Sequence, residues 1–401
     1  MLKRTFQAFE SRDFRLVWAG ACTSSIGTWM QKLAQSWLVL QLSGSPFLLG
    51  LDAFLGEVPI LLFSLVGGVV ADRMDRRRLL VASQIAQASC AFVLATLFAL
   101  GAVQVWQILT LSFLVGVAQA FGGPAYQALI PTLVPAEGLS AAIAWNSIQF
   151  NLARVVGPVL GGLALTKLGA TWCFGLNGAS YLGPILALVA LGPRRLPERT
   201  GETMVESMKQ GIRFIRTRPA MLSLIVLAFV MTILGIPVIV FLPVFARDVF
   251  RQGPSTYTLL LSVSGIGSVL GALAVAATGH RGRQGTVALS TLVALGVCIT
   301  AFSLSRNLAA SCVFLFLGGA SLVATFATVT SLVQSIAPDE MRGRVMAVYS
   351  VFFRGGMPLG SLITGSLVPR FGAPVVLAVN GALLAVLGLT FIARRRKLAS
   401  M

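Results

Sequence analysis

Long apolar segments recur along the whole chain and constrain its fold more than any other feature. Each is about 19 to 28 residues long, enough for a helix to cross a hydrocarbon layer roughly 30 Å thick. We place them at residues 14–41, 48–71, 79–100, 105–128, 140–166, 171–192, 220–246, 256–279, 286–304, 308–332, 343–367 and 373–393. The hydrophobic share is 56% and the charged share 11%, against about 25% charged in soluble domains. We therefore predict an all-α, polytopic membrane protein with twelve transmembrane helices.

The basic residues are distributed unevenly between the two sides of the predicted membrane. With the N-terminus inside, 23 of the 31 lysines and arginines lie in inner segments or at the adjoining span ends, and five lie on the outer side. Positive charge concentrates on the cytoplasmic side of membrane proteins, so this asymmetry predicts that both termini are cytoplasmic. The net charge of +18 is thus a topology signal, and we expect no nucleic-acid partner. Residues 1–13 form a short basic arm that we expect at the membrane surface.

The connection between the second and third spans is short and highly charged. Between Asp72 and Arg78 it holds two acids and four arginines, which predicts a tight cytoplasmic turn. The pattern G-x-x-x-D-R-x-x-R-R resembles the signature loop of the major facilitator superfamily of transporters. The matching residues are Gly68, Asp72, Arg73, Arg76 and Arg77. A second glycine of the family pattern is replaced by Asp75. The resemblance implies that this loop acts as a conformational latch, with Asp72 near the start of span eleven in the inward-closed state.

The fifth span carries a second motif. Ser147, Asn151, Arg154 and Pro158 share one helical face. Residues 157–162 read G-P-x-x-G-G and resemble the helix-five motif of exporters that work as antiporters, through Gly157, Pro158, Gly161 and Gly162. Physically, the proline bends a helix and the glycines allow another helix to come close. Ordinary small-residue packing is the alternative explanation.

A charged stretch in the middle of the chain separates six spans from six spans. We therefore predict an N-terminal bundle at 1–192, a cytoplasmic linker at 193–218 and a C-terminal bundle at 219–401. Two six-helix bundles are the architecture that the resemblance implies. Residues 202–216 predict an amphipathic helix with Val205, Met208, Ile212 and Ile215 on one side.

The second half repeats the first weakly. The pattern Arg154-x-x-x-Pro158 recurs as Arg354-x-x-x-Pro358, and residues 279–283 are a degenerate repeat of the charged loop. The single histidine, His280, lies in that repeat and is interpreted as a loop residue. The five cysteines show no metal-like spacing, and the sequence contains no phosphate-binding loop. We expect no metal, no cofactor and no enzymatic activity.

Polar residues inside apolar spans are the candidate functional residues, because they are costly in a membrane. Asp52 and Glu57 are the only acids in a span core, and both are candidates for proton coupling; Glu57 lies deeper. The candidates for a charge network or for substrate binding are Lys32, Arg154, Arg354, Gln31, Gln35, Gln119 and Asn151. The polar face of span one is expected to line a cavity, and hydrogen bonding between helices is the alternative.

The pairing of these charges stays open at this point. Glu57, Arg154 and Arg354 are expected at similar depths, so Glu57 is hypothesised to pair with Arg354 across the two halves or with Arg154 in its own half. Two other hypotheses involve no pairing with Glu57. One is that Arg354 binds an anionic cargo such as a catecholate; the other is that Arg154 and Arg354 only bond backbone carbonyls at the proline bends.

The chain is similar to the enterobactin-exporter and macrolide-efflux branch of the superfamily. The resemblance implies proton-driven export of a small lipophilic or amphipathic molecule, such as a drug or siderophore, by alternating access. It further implies a bacterial inner-membrane protein, acting as a monomer within the lipid bilayer, whose partners are cargo and protons. The rival functions are nutrient uptake and a receptor that no longer transports.

Overall fold

The computed structural model describes residues 6–192, 204–278 and 284–394. Within these ranges every regular element is a helix, and no strand is present. Contacts divide the chain into two compact units. Unit 1 comprises Met1–Ser43 and Leu55–Thr200, and unit 2 comprises Gly44–Phe54 and Gly201–Met401. The predicted repeat of the charged loop at 279–283 and the linker residues 193–203 lie outside the described residues.

Unit 1 is a helical bundle arranged around its first helix. Its helices are α1 Arg12–Ser43, the larger part of α2 Pro46–Arg73, α3 Arg76–Ala99, α4 Val105–Leu129, α5 Leu139–Lys167, α6 Ala170–Ser180 and α7 Leu182–Ala190. Helix α1 packs along α5 and along the broken pair α6 and α7, while α3 packs against α4 and α6. Polar side chains of α1 are thereby brought next to three other helices.

Unit 2 contains the remaining helices. They are α8 Met204–Arg216, α9 Pro219–Gly235, α10 Pro254–Thr278, α11 Gln284–Leu304, α12 Leu308–Ile336, α13 Asp339–Phe371 and α14 Ala373–Arg394. The stretch after α9 breaks into Pro237–Val240, Leu242–Val244 and the π-helical turn Phe245–Val249. Prolines at 237 and 243 lack the N–H that a continuous helix requires, which explains the break. Helix α9 packs against α13, and α12 packs against α10 and α11.

Eleven helical segments of the described chain are long and apolar enough to cross a membrane. Helix α1 is not among them, although its 32 residues give it ample length. Its charges Arg12, Asp13, Arg15 and Lys32 and its polar face lower its hydropathy. The all-helical membrane fold is therefore confirmed, whereas the count of twelve spans stays a prediction.

The described part of the N-terminal arm is docked onto unit 1, and its position at the membrane surface stays a prediction. Ala8 is fully buried, and the Phe9 ring lies 5.2 Å from Trp18 and 4.9 Å from Trp145, edge to face in both cases. Offset and edge-to-face aromatic pairs are favourable beyond their buried area. This aromatic cluster joins the arm to α1 and α5.

The predicted amphipathic helix of the linker is present as α8, but its packed side differs from the prediction. Ile215 is buried and Ile212 is exposed. Gly211 lies against the carbonyl of Arg344 on α13, where a Cβ would come within 2.7 Å of that oxygen. The absence of a side chain at Gly211 sets the line of contact, which the pattern of apolar residues did not reveal.

The turn between α2 and α3 is closed by a helix cap. The Asp75 carboxylate accepts hydrogen bonds from the backbone N–H of Arg77 at 2.9 Å and of Arg78 at 3.4 Å. Asp is among the best N-cap residues, because it satisfies N–H groups that have no partner in the first helical turn. The acid that departs from the family's glycine thus begins α3.

We expect Asp75→Ala to destabilise the protein by about 1 kcal/mol, the usual effect of losing an N-cap. Asp75→Asn keeps the acceptor oxygen and serves as the matched control. Thermal unfolding of the purified full chain in detergent measures both. An equal loss in the two variants would attribute the effect to charge and remove the capping explanation.

Candidate functional site

The polar face of α1 is connected to other helices by hydrogen bonds. Asn177 of α6 donates to Gln31 Oε1 at 2.6 Å, and Gln31 donates to Gln35 Oε1 at 3.3 Å. Gln35 in turn donates to Ser112 Oγ of α4 at 2.8 Å. Gln31 is buried, so the expectation that it lines a cavity is wrong, and the alternative of hydrogen bonding between helices holds for it.

A second branch of the same network begins about one turn earlier on α1, at Thr28. The hydroxyls of Thr28 and Tyr181 are 3.2 Å apart, and Tyr181 donates to Gln87 Oε1 of α3 at 3.3 Å. Gln87 then donates to Ser83 Oγ at 3.1 Å. Buried polar groups that are all bonded to one another make a packing arrangement specific. This network fixes α1 relative to α3, α4 and α6 within unit 1.

Beside this network lies the ion pair that defines the candidate site. Lys32 Nζ on α1 lies 3.6 Å from Glu57 Oε1 on α2. The Lys32 side chain is 56% exposed and that of Glu57 is 30% exposed, so the protein encloses neither group and encloses the lysine less. The carboxylate therefore has a cationic partner that the surrounding side chains do not hold in place.

Trp29, one turn before Lys32, adds an aromatic face to the pair. Lys32 Nζ lies 5.4 Å from the centroid of the Trp29 ring, and Arg154 Cζ on α5 lies 5.9 Å from it. Both distances are within the range of cation–π attraction. The candidate site of unit 1 is therefore the cluster of Trp29, Lys32, Glu57 and Arg154.

The hypothesis that Glu57 pairs with Arg154 is wrong in this structure. The acid is bound to Lys32, and Arg154 lies over Trp29 instead. The hypothesis rested on similar depths along the helices, and depth does not determine which helix faces meet. Pairing of Glu57 with Arg354 stays a prediction.

The other candidate residues are not part of this cluster. Asp52 is buried at 7% exposure and is grouped with unit 2, whereas Gln119 and Arg354 are exposed. Arg354 has no hydrogen bond or ion pair within the described part of unit 2, so bonding to carbonyls at the proline bend does not apply there. Asn151 donates to the Ser147 carbonyl of its own helix at 2.8 Å.

The glycines of the fifth-span motif bring α5 against α1 next to Trp29. A Cβ at Gly157 would collide with Trp29 Cβ, and one at Gly161 would lie 2.8 Å from the Met30 carbonyl oxygen. Pro158 and Gly162 are buried in the same contact region of α5. The motif therefore packs two helices backbone to backbone, and this contact holds Arg154 near Trp29.

In the charged loop, two arginines bind the ends of neighbouring helices. Arg76 donates to the Ala128 carbonyl near the end of α4 at 2.9 Å, and Arg77 donates to the Val189 carbonyl of α7 at 2.8 Å. Cations are favourable at helix C-termini, where carbonyls lack partners. Asp72 is exposed and lies 3.7 Å from Arg76.

The remaining loop residues divide between interior and solvent. Gly68 is buried and Arg73 is exposed. Among the described residues no group of three or more His, Cys, Asp or Glu side chains is arranged to hold a metal ion.

The sequence matches the family described as transmembrane secretion effector over residues 3–401. The chain belongs to this family. It is a transporter of the major facilitator superfamily and not an enzyme, as predicted from the charged loop and the fifth-span motif.

The curated relatives that the chain matches are named as efflux or export proteins. It is 28% identical to the multidrug efflux pump Tap of Mycolicibacterium fortuitum, over 89% of each chain. It is 22% identical to macrolide efflux protein A of Streptococcus pyogenes, over 92% of this chain and 93% of the relative. It is 28% identical to the enterobactin exporter EntS of Shigella boydii serotype 4, over 88% and 85%. The predicted branch of the superfamily is thereby confirmed.

Solved structures confirm the fold of this transmembrane secretion effector. The nucleoside transporter NupG aligns with a TM-score of 0.74 at 15% identity, over 95% of this chain and 98% of that one. The D-xylose–proton symporter aligns with a TM-score of 0.74 at 14% identity, over 95% and 97%. At such low identity the likeness concerns the fold alone.

Two residues of the site region were missed by sequence reasoning. Trp29 lies one turn from Lys32, and that spacing was an available signal for a cation–π contact. Asn177, which bonds Gln31, carries no such signal, because its position depends on how α6 packs against α1.

Proposed function

We propose that this transporter is a proton-coupled exporter of a small lipophilic or amphipathic organic molecule, such as a drug or siderophore. The observation that carries the proposal is the pairing of Glu57 with Lys32, at 3.6 Å, in two spans of one unit. The printed names of the relatives, which are efflux pumps and an exporter, support the direction of transport.

The coupling follows from the chemistry of the pair. An ionised carboxylate within a membrane span costs about 2.5–3.5 kcal/mol unless it is compensated. Lys32 compensates Glu57, and protonation of Glu57 removes the ion pair. Two charge states of one acid thus correspond to two arrangements of its surroundings, which is what a proton-driven transport cycle requires.

We further propose alternating access as the mode of transport, with the transporter acting as a monomer in the bacterial inner membrane and both termini in the cytoplasm. The excess of basic residues in the predicted inner segments supports this orientation. The two predicted bundles, 1–192 and 219–401 joined by 193–218, would be the moving parts.

A cargo screen tests the proposed function. Cells that lack other pumps and express the wild-type chain are loaded with candidate compounds, with and without an uncoupler. Export lowers the cellular level of its cargo and disappears with the uncoupler. Uptake raises that level, and a receptor changes it in neither direction, so either result would reject the proposal.

We expect Asp72→Asn to slow conformational cycling severalfold while folding stays nearly intact. Asp72 is exposed, and its 3.7 Å contact with Arg76 is too open to solvent to stabilise the fold much. Initial rates of export and the melting temperature, measured side by side, check the prediction. Transport at the wild-type rate would show that Asp72 is not a latch.

A further inference from the structure

The Lys32 side chain places an ammonium group in the candidate site. Lys32 Nζ lies 3.6 Å from Glu57 Oε1 and 5.4 Å from the Trp29 ring centroid. A carboxylate together with an aromatic face is a chemically suitable environment for any organic cation, because the carboxylate supplies opposite charge and the ring supplies its negative face. The Lys32 ammonium therefore marks a cation site whose two fixed components are Glu57 and Trp29.

The Lys32 ammonium can separate from the Glu57 carboxylate. The Lys32 side chain is 56% exposed, and the pair with Glu57 is its single ion pair in the described part of the chain. An ion pair that the protein does not enclose is separated more easily than a buried one. A long, flexible lysine can move its charge away from Glu57 while its backbone stays in α1. Glu57, at 30% exposure, is the more enclosed partner and remains in place.

Antiport places a requirement on the cargo. Cargo and proton must weaken each other's binding, and such coupling is reciprocal between the two ligands. A cationic cargo at Glu57 competes directly with a proton for the carboxylate. An anionic cargo would bind Lys32, release Glu57 and favour its protonation, so that cargo and proton would bind together.

We propose that Glu57 and Trp29 bind a singly charged, lipophilic organic cation, and that Lys32 occupies this site as a tethered competitor when cargo is absent. This inference rests on the proposed function and names its substrate class. Arg154, 5.9 Å from the same ring and without a carboxylate partner in the described chain, limits the charge that the site accepts. A second positive charge on the cargo would be repelled by this guanidinium.

Two ions of nearly equal shape and opposite charge test the sign of the cargo. Binding of tetraphenylphosphonium and of tetraphenylborate is measured by equilibrium dialysis on the purified full chain in lipid nanodiscs, with empty nanodiscs as background. We expect the wild-type chain to bind the phosphonium. Lys32→Met removes the competitor and should raise phosphonium affinity about fivefold, since a weak ion pair no longer opposes it.

The other components of the site have their own expected effects. Glu57→Gln should lower phosphonium affinity about tenfold or more, because the opposite charge is lost. Trp29→Leu should lower it about two- to fivefold, whereas Trp29→Phe keeps an aromatic face. Lys209→Met and Glu137→Gln, at exposed positions outside the cluster, are the matched controls and should leave affinity unchanged. Lys32→Gln replaces Lys32→Met if the latter does not fold.

Two outcomes would overturn the inference. One is weaker phosphonium binding in Lys32→Met; the other is tetraphenylborate binding that exceeds phosphonium binding and depends on Lys32. Either would make Lys32 a ligand for anions. Phosphonium binding as expected, but without uncoupler-sensitive export of any compound in the cargo screen, would instead reject the proposed function and leave the cation site standing.

Discussion

Glu57→Gln is expected to abolish uphill export. The variant cannot alternate between a charged and a neutral side chain, so the proton gradient no longer drives cargo, and cellular cargo should return to the level of cells without the transporter. Downhill equilibration of the cargo should persist at cargo concentrations high enough to offset the roughly tenfold weaker binding expected of this variant. Accumulation assays with and without an uncoupler measure both quantities, and Glu137→Gln, an exposed acid in the turn before α5, is the control.

Glu57→Gln is also expected to lower the free energy of unfolding, because it leaves Lys32 without its anion. The loss should be smaller than the roughly 2.5–3.5 kcal/mol of a fully enclosed charge, since the Lys32 side chain is 56% exposed. Adding Lys32→Met should restore stability but not coupling. Uphill export at the wild-type rate in Glu57→Gln would reject Glu57 as the coupling acid and transfer the test to Asp52→Asn.

Gly157→Ala is expected to lose both stability and transport. The added Cβ would collide with Trp29 Cβ and lie 2.8 Å from the Ile26 carbonyl oxygen, so α1 and α5 must move apart. Overpacking of this kind typically costs 1–3 kcal/mol, which we take as the approximate range here. The separation also displaces Trp29 from Arg154, so export should fall even at temperatures where the variant stays folded.

Gly175→Ala in α6 is the matched control, because a Cβ there meets no atom within 4 Å. Alanine is also the better helix former by about 1 kcal/mol, so this variant should be neutral or slightly more stable. Melting temperatures of the two purified variants, together with their initial export rates, decide the matter. If both variants behave alike, the motif acts through helix flexibility rather than through the contact with α1.

The positions of the helices were predictable from the sequence, because a chain that crosses a membrane satisfies its backbone hydrogen bonds by forming a helix. Any apolar run of sufficient length must then be a helix. The same reasoning located the charged turn at Asp72 to Arg78 and the close-packing glycines of α5, since these depend on local sequence. The family resemblance rested on those two stretches and was confirmed. Helix α1 was predicted in the same way, and its charges and polar face leave it outside the eleven segments that are apolar enough to cross a membrane.

Pairing between helices was not predictable in the same way. Periodicity identifies which residues share a face, but not the neighbour that the face meets. Gln31 was assigned to a cavity and is instead bonded to Asn177, 146 residues away. Glu57 was hypothesised to pair with an arginine, and within unit 1 its partner is Lys32 and not Arg154.

The sequence by itself determined the membrane environment, the helices, the charged turn and the presence of a few costly charges inside spans. Only the tertiary structure decided that Lys32 meets Glu57, that the Lys32 ammonium lies by Trp29, and that Arg154 lies by the same ring. The physical reason is the range of the interactions. Backbone hydrogen bonds and hydropathy act within one segment, whereas the cluster depends on the rotation and close approach of α1, α2 and α5, which glycine contacts such as Gly157 against Trp29 set.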